Sequence, residues 1–167
     1  MNKVFVDSGG WIACIDKNDK HHKEAVEYFK NLREKGNTLI TSNYIKSETL
    51  TWLKYNVNHE IALKVMDLWR QAEKINSLET YWISQELAEE ADEIFKKYGE
   101  QSLSYIDCTS FAICRKLNIQ KVFGFDSDFN TLGYLLAPHQ VKEKGYSYNI
   151  LIPERVNKEI GYTRGGS

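Results

Sequence analysis

Three apolar residues in a row, Val4-Phe5-Val6, stop at Asp7, and Ser8-Gly9-Gly10 follows where the chain has to turn. A run this short, with no polar alternation, reads as a strand buried on both faces, the condition of a parallel sheet covered by helices. Similar segments recur. Thr38 to Thr41, Thr80 to Ile83 and Lys121 to Phe125 are further strand candidates, the last again ending at an aspartate, Asp126, and Ile150 to Ile152 would be a final strand. Helical spacing fills the intervals. Ala25, Tyr28, Phe29 and Leu32 mark a helix over 21–35 closed by Gly36, and Ser42 or Asn43 can cap one running to about Tyr55. Ile61, Val65, Leu68, Ala72 and Ile75 form a stripe over 59–75. Ser84 and Ser104 can cap two more helices, through Phe95 and Leu117. The resulting order, β-α-β-α-α-β-α-α-β-α-β, predicts an α/β fold with an open parallel sheet.

Composition bounds the rest. The 167 residues suit one domain, expected over 1–160 with a flexible tail at 161–167. With 22 basic and 23 acidic residues, bulk positive charge cannot drive nucleic-acid binding, so any such contact must be local. Cys14, Cys108 and Cys114 lack C-x-x-C spacing, which argues against a disulfide framework and against structural zinc. No apolar stretch approaches the roughly 20 residues of a bilayer span, and no signal peptide precedes the first strand. A cytoplasmic protein without membrane contact is the expectation.

In open α/β sheets ligands bind beyond the carboxyl ends of the strands, which directs attention to Asp7 and Asp126. Asp107 lies three residues after Ser104 among apolar neighbours, where a helix capping box would equally place it. Glu48, in Ser47-Glu48-Thr49-Leu50, would ordinarily be a solvated helix residue. Carboxylates gathered in one cleft repel each other unless a cation neutralises them, and oxygen-only ligands suit Mg²⁺ or Mn²⁺. Lys46, Lys54, Arg115, Lys116 and Lys121 lie near the acidic segments in sequence. They are placed either to meet phosphates or to be solvated helix faces.

These segments, taken together, resemble the PIN-domain family, and within it the VapC-type toxin ribonucleases. Val4-Phe5-Val6-Asp7-Ser8 is similar to the first motif of that family and Ser47-Glu48-Thr49-Leu50 to the second. Leu103-Ser104-Tyr105-Ile106-Asp107-Cys108-Thr109-Ser110 is similar to the third, and Phe125-Asp126-Ser127-Asp128-Phe129 to the fourth. The resemblance implies a three-layer α/β/α sandwich with a mostly parallel sheet of about five strands. It implies an Mg²⁺- or Mn²⁺-dependent endoribonuclease whose catalytic and metal-binding quartet is Asp7, Glu48, Asp107 and Asp126. Asp128 would be an additional or substitute ligand, and Ser8 would support Asp7 or a phosphate. Lys46 and Arg115 stand as candidates for binding the RNA substrate. Implied partners are a second copy of the chain and an antitoxin protein covering the acidic cleft. The departure from the pattern is Gly9-Gly10 after the first motif, where extra glycine is expected to loosen the turn beside Asp7.

Competing readings fail at named positions. A haloacid-dehalogenase-type phosphatase needs a second Asp where this chain has Gly9. A response-regulator receiver needs acidic residues where Asn2-Lys3 stand, and a dinucleotide site needs G-x-G-x-x-G after the first strand. The remaining alternative is a non-catalytic module of the same fold that binds RNA or protein. Four carboxylates kept in apolar surroundings favour the enzyme, because burying unused charge is costly.

Overall fold

The computed structural model describes residues 2–138. Their elements run β1 (Lys3–Val6), α1 (Ser8–Ile15), α2 (His22–Glu34), β2 (Thr38–Ser42), α3 (Asn43–Asn56), α4 (His59–Lys74), β3 (Leu78–Tyr81), α5 (Gln85–Lys97), α6 (Tyr105–Lys116), β4 (Lys121–Phe123), α7 (Asp128–Thr131) and β5 (Leu135–Ala137). The five strands form one sheet in the order β3-β2-β1-β4-β5, and every pairing is parallel. The α/β sheet expected from the sequence is therefore present. The predicted strand at 150–152, the domain end at 160 and the tail at 161–167 lie outside the described residues.

The strand order reverses between β1 and β4. Connections β1→β2 and β2→β3 step one way across the sheet, while β3→β4 returns past β1. Right-handed crossovers then put α1 to α4 on one face and α5 and α6 on the other. Packing follows this division: Trp11 of α1 meets Phe29 of α2 and Trp69 of α4 edge to face, at centroid distances of 6.0 and 5.3 Å. Between the layers, Phe5, Ile40, Phe111, Val122 and Phe123 are fully buried.

Four local readings need correction. The turn expected at Ser8-Gly9-Gly10 is the first turn of helix α1. Two glycines hide the helical periodicity there, and Asp7 as N-cap starts the helix. The third strand sits two residues earlier than its β-branched content suggested, at Leu78–Tyr81, because Leu39↔Leu78 sets the register. The fourth strand ends at Phe123, so Gly124 and Phe125 separate it from Asp126. A fifth strand forms at Leu135–Ala137, a short run with no alternation that the sequence reading passed over. Of the α4 stripe, Val65 is buried, Ile61, Leu68 and Ala72 are half-buried and Ile75, just past the helix end, is exposed; Ala62 and Trp69, outside the stripe, are the other buried residues of the helix.

Candidate active site

Asp7 emerges from the sheet at the point where the strand order reverses. Its N–H continues the ladder to Phe123 O at 3.0 Å, while its side chain caps α1 by accepting from Gly9 N at 3.3 Å. The carboxylate is buried, and burial is the main reason its pKa is raised to about 7. Asp107 and Glu48 push in the same direction, against the amides of Ser8 and Gly9. Glycines make this position possible. A Cβ on Gly10 would stand 2.6 Å from Phe123 O, and one on Gly124 would stand 3.1 Å from the Asp7 Cβ. Gly10 therefore tightens α1 onto β4. The looser turn expected from Gly9-Gly10 is not what forms.

Asp107 does two things at once. Its carboxylate accepts from Ser104 N at 2.8 Å and Ser104 Oγ at 2.7 Å, while its own N–H donates to Ser104 Oγ at 3.2 Å. That is the capping box read from the sequence. Desolvation nonetheless holds its pKa above the usual value, with Asp126 and Glu48 adding repulsion. Asp128 is also raised, by desolvation and then by Asp126 and Asp107. Asp126 accepts from Asp128 N at 2.9 Å, which bends the chain into α7 and sets these two carboxyls near each other. Glu48 projects from the exposed side of α3, opposite the buried Ile45, Thr49 and Leu53. The structure thus brings Asp7, Glu48, Asp107, Asp126 and Asp128 into one electrostatically coupled set.

It does not bring Lys46 and Arg115 to that set. Lys46 sits two residues from Glu48 on one helix, about 200° around the axis, so the two side chains diverge. The Lys46 ammonium pairs with Glu73 at 2.9 Å and Thr80 Oγ1 at 3.4 Å, and lies 5.4 Å from the centroid of the Trp69 ring. Arg115, two turns along α6 from Asp107, faces Glu90 at 3.8 Å and Tyr134. Ser8 keeps its place beside Asp7, its backbone lowering the Asp7 pKa. Burial raises the Cys14 and Cys114 thiols far above their ordinary range; Cys114 lies in the core and Cys14 is partly buried against it. Two positions that the sequence reading undervalued are Gly10 and Gly124. Glycine just after a buried strand was the available signal.

Among the described residues, none of the five carboxylates pairs with a Lys, Arg or His side chain, whereas acids elsewhere do. Nor do any three His, Cys, Asp or Glu side chains there stand as a ready cage for a metal ion. The two observations are compatible. Repelling anions share a cleft but do not close on one another without a cation. An oxygen-only, unneutralised donor set fits Mg²⁺ or Mn²⁺ and fits zinc poorly.

A PIN domain family model matches residues 4–133. The 23S rRNA-specific endonuclease VapC20 of Mycobacterium tuberculosis is 30% identical over 132 residues, spanning 79% of this chain and 95% of that protein. A VapC ribonuclease of Archaeoglobus fulgidus is 29% identical over 129 residues, spanning 76% of this chain and 79% of that one. The crystal structure of M. tuberculosis VapC20, described as a sarcin–ricin loop cleaving toxin, superposes with a TM-score of 0.67 at 29% identity. It covers 79% of this chain and 96% of that one. Among the described residues no helix is long and apolar enough to cross a membrane.

Proposed function

The chain belongs to the PIN-domain family, and on that premise we propose that it is a divalent-metal-dependent endoribonuclease, the toxin of a toxin–antitoxin pair, acting in the cytoplasm. The observation that carries this reading is the set of five carboxylates at the reversal of strand order that, among the described residues, have no basic side chain paired with them. Asp7, the buried member, is costly to ionise unless something outside the chain neutralises it.

Asp7, Glu48, Asp107 and Asp126 would hold the cation, with Asp128 at the edge of the site. When bound, Mg²⁺ or Mn²⁺ supplies Lewis-acid stabilisation of phosphoryl charge and acidifies water. The protein's part is placement and proton handling. The Asp7 carboxyl, its pKa raised to about 7 by burial, would share a proton in the free site and give it up when a cation binds. The capping bonds from Ser104 lock the Asp107 rotamer, and the Asp128 amide orients Asp126. Ser8, at the N-terminus of α1, would donate to a phosphate oxygen. Hydrolysis would break the P–O3′ bond and deliver the water oxygen to phosphorus, leaving a 5′-phosphate and a 3′-hydroxyl.

The relatives' names point to ribosomal RNA as the substrate. The partner would be an antitoxin presenting Arg or Lys to the unpaired carboxylates, and the active form a homodimer. The test is cleavage of 23S rRNA with Mn²⁺ and with excess EDTA, with the product ends mapped. Cleavage that survives EDTA, or 2′,3′-cyclic phosphate products, overturns the reading. A single monomer mass in light scattering at tens of micromolar removes the dimer.

A further inference from the structure

The turn that carries Asp126 is held from outside the sheet. Gly124, just past β4, is fixed by its N–H to Ala137 O at 3.1 Å and by its close approach to Asp7. Further on, Asp126 accepts from Asp128 N at 2.9 Å, and the buried Phe129 anchors α7. Phe125 lies between these anchors, half-buried, with the exposed Asp126 directly after it. Its ring lies flat on the imidazole of His21, with centroids 4.1 Å apart and planes 9° from parallel, the closest ring pair among the described residues.

His21 is itself firmly placed. Its N–H donates to Asp19 Oδ1 at 2.7 Å, its carbonyl accepts from Ala25 N at 2.8 Å, and its Nδ1 stands 3.8 Å from Glu24 Oε2. The next residue, His22, donates from Nδ1 to the Ala13 carbonyl at 2.8 Å, which ties the start of α2 to α1, the helix that Asp7 caps. Two turns along the same face of α2, Tyr28 meets Phe123 edge to face at 5.1 Å. Helix α2 therefore grips β4 at Phe123 and the exit from β4 at Phe125. A continuous path of contacts results, from Asp7 through α1 and the two histidines to Phe125 and Asp126. Space filling alone does not call for this pair: leucine would close the gap beside Phe125 equally well. Two rings face to face also fix the plane of the Phe125 ring, and with it the backbone leading into Asp126.

We propose that His21 is a positioning residue for Asp126, acting through its stack on Phe125 to hold that carboxylate where it meets the cation. This role rests on the divalent-metal ribonuclease reading above and adds α2 to the elements that shape its site.

The test compares the parent with His21→Leu, which fills the space without a flat face, and His21→Phe, which keeps one. Mn²⁺ binding to the RNA-free protein is measured by electron paramagnetic resonance of the unbound ion. Cleavage kinetics are followed separately, and thermal melts in EDTA check folding. His21→Leu should bind Mn²⁺ about ten-fold more weakly, the low end of what losing a ligand's orienting partner costs. Its kcat should fall while KM for RNA stays within about three-fold. His21→Phe should remain within about two-fold of the parent in Mn²⁺ affinity. Phe125→Leu removes the stack from its other side, so it should match His21→Leu, and it stands in for that variant if His21→Leu does not fold. Because His21 acts through Asp126, adding His21→Leu to Asp126→Asn should weaken Mn²⁺ binding no further, whereas a general scaffold role gives additive losses. Parental Mn²⁺ affinity in His21→Leu, equal losses in the leucine and phenylalanine variants, or additive losses with Asp126→Asn each overturn the positioning role. In those cases Mn²⁺-dependent cleavage by the parent leaves the ribonuclease reading standing. A parent that neither binds Mn²⁺ nor cleaves RNA removes both.

Discussion

Two acidic regions of this molecule are built on opposite principles. At the junction of α3, α4 and β3, Glu73 is partly buried. Desolvation pulls its pKa upward, but the Thr80 hydroxyl and the Lys46 ammonium outweigh it and the carboxyl ends below its ordinary value. At the carboxyl ends of β1 and β4, Asp7 is buried far more deeply, with only backbone amides to oppose desolvation, plus repulsion from Asp107 and Glu48, and its pKa rises to about 7. The first region completes its electrostatics within the chain. The second leaves them open, which is the condition for binding a cation that must come and go with solvent and substrate. Among the described residues, Asp7 differs from Glu73 both in its deeper burial and in lacking a basic side chain to pair with.

The sharpest way to break that contrast is through activity. Asp7→Asn keeps the shape and a competent helix cap, yet it should lower Mn²⁺-dependent RNA cleavage by roughly 10²–10³-fold, the scale of losing one electrostatic stabiliser of a transition state. Lys46→Met should leave cleavage within about three-fold, because its ammonium is engaged away from the cleft. Comparable losses in the two variants, in initial-rate assays, would erase the distinction.

Stability against pH gives the next largest effect. Asp7 holds its proton more tightly when folded, so its contribution is fully present below its ordinary pKa of 3.8 and is lost as pH rises through about 7. In EDTA, Asp7→Asn should therefore be more stable than the parent by about 4 kcal/mol at pH 8 and nearly equal to it near pH 4. Urea unfolding of both proteins across that range measures the gap. A gap independent of pH would show that the Asp7 charge is not what the fold resists. Added Mn²⁺ should stabilise the parent at pH 8 and leave Asp7→Asn nearly unmoved.

Gly10→Ala probes the scaffold beneath the open region. With a Cβ 2.6 Å from Phe123 O, α1 must back away from β4. A loss of about 2 kcal/mol, typical of overpacking, is expected in denaturant melts. Unchanged stability would mean that the close approach of α1 to β4 is dispensable. The smallest effect belongs to the closed region, where a double-mutant cycle of Lys46→Met and Glu73→Gln should give a coupling of about 0.5–1 kcal/mol. A coupling near zero would reduce that pair to an incidental surface contact.

Much of this architecture was written locally. The apolar runs at β1, β2 and β4, the caps at Ser42, Ser84 and Ser104 and the stripes on α4 and α5 follow from side-chain periodicity and short-range hydrogen bonds, which a sequence displays directly. The acidic set was legible too, because strand ends and helix caps fix where Asp7 and Asp107 emerge. Helix α1 was hidden by Gly9-Gly10, and β5 by its three-residue length, since neither carries enough periodic signal. Asp107 appeared as either a cap or a site residue, and the fold makes it both. What the sequence could not decide was which charges meet. Lys46 and Glu48 are two residues apart, yet one turns toward Glu73 and the other toward Asp7 and Asp107. Whether a charge is neutralised depends on through-space distances between elements far apart in the chain. Only the crossing of α3 over the sheet and the reversal of strand order at β1 and β4 set those distances.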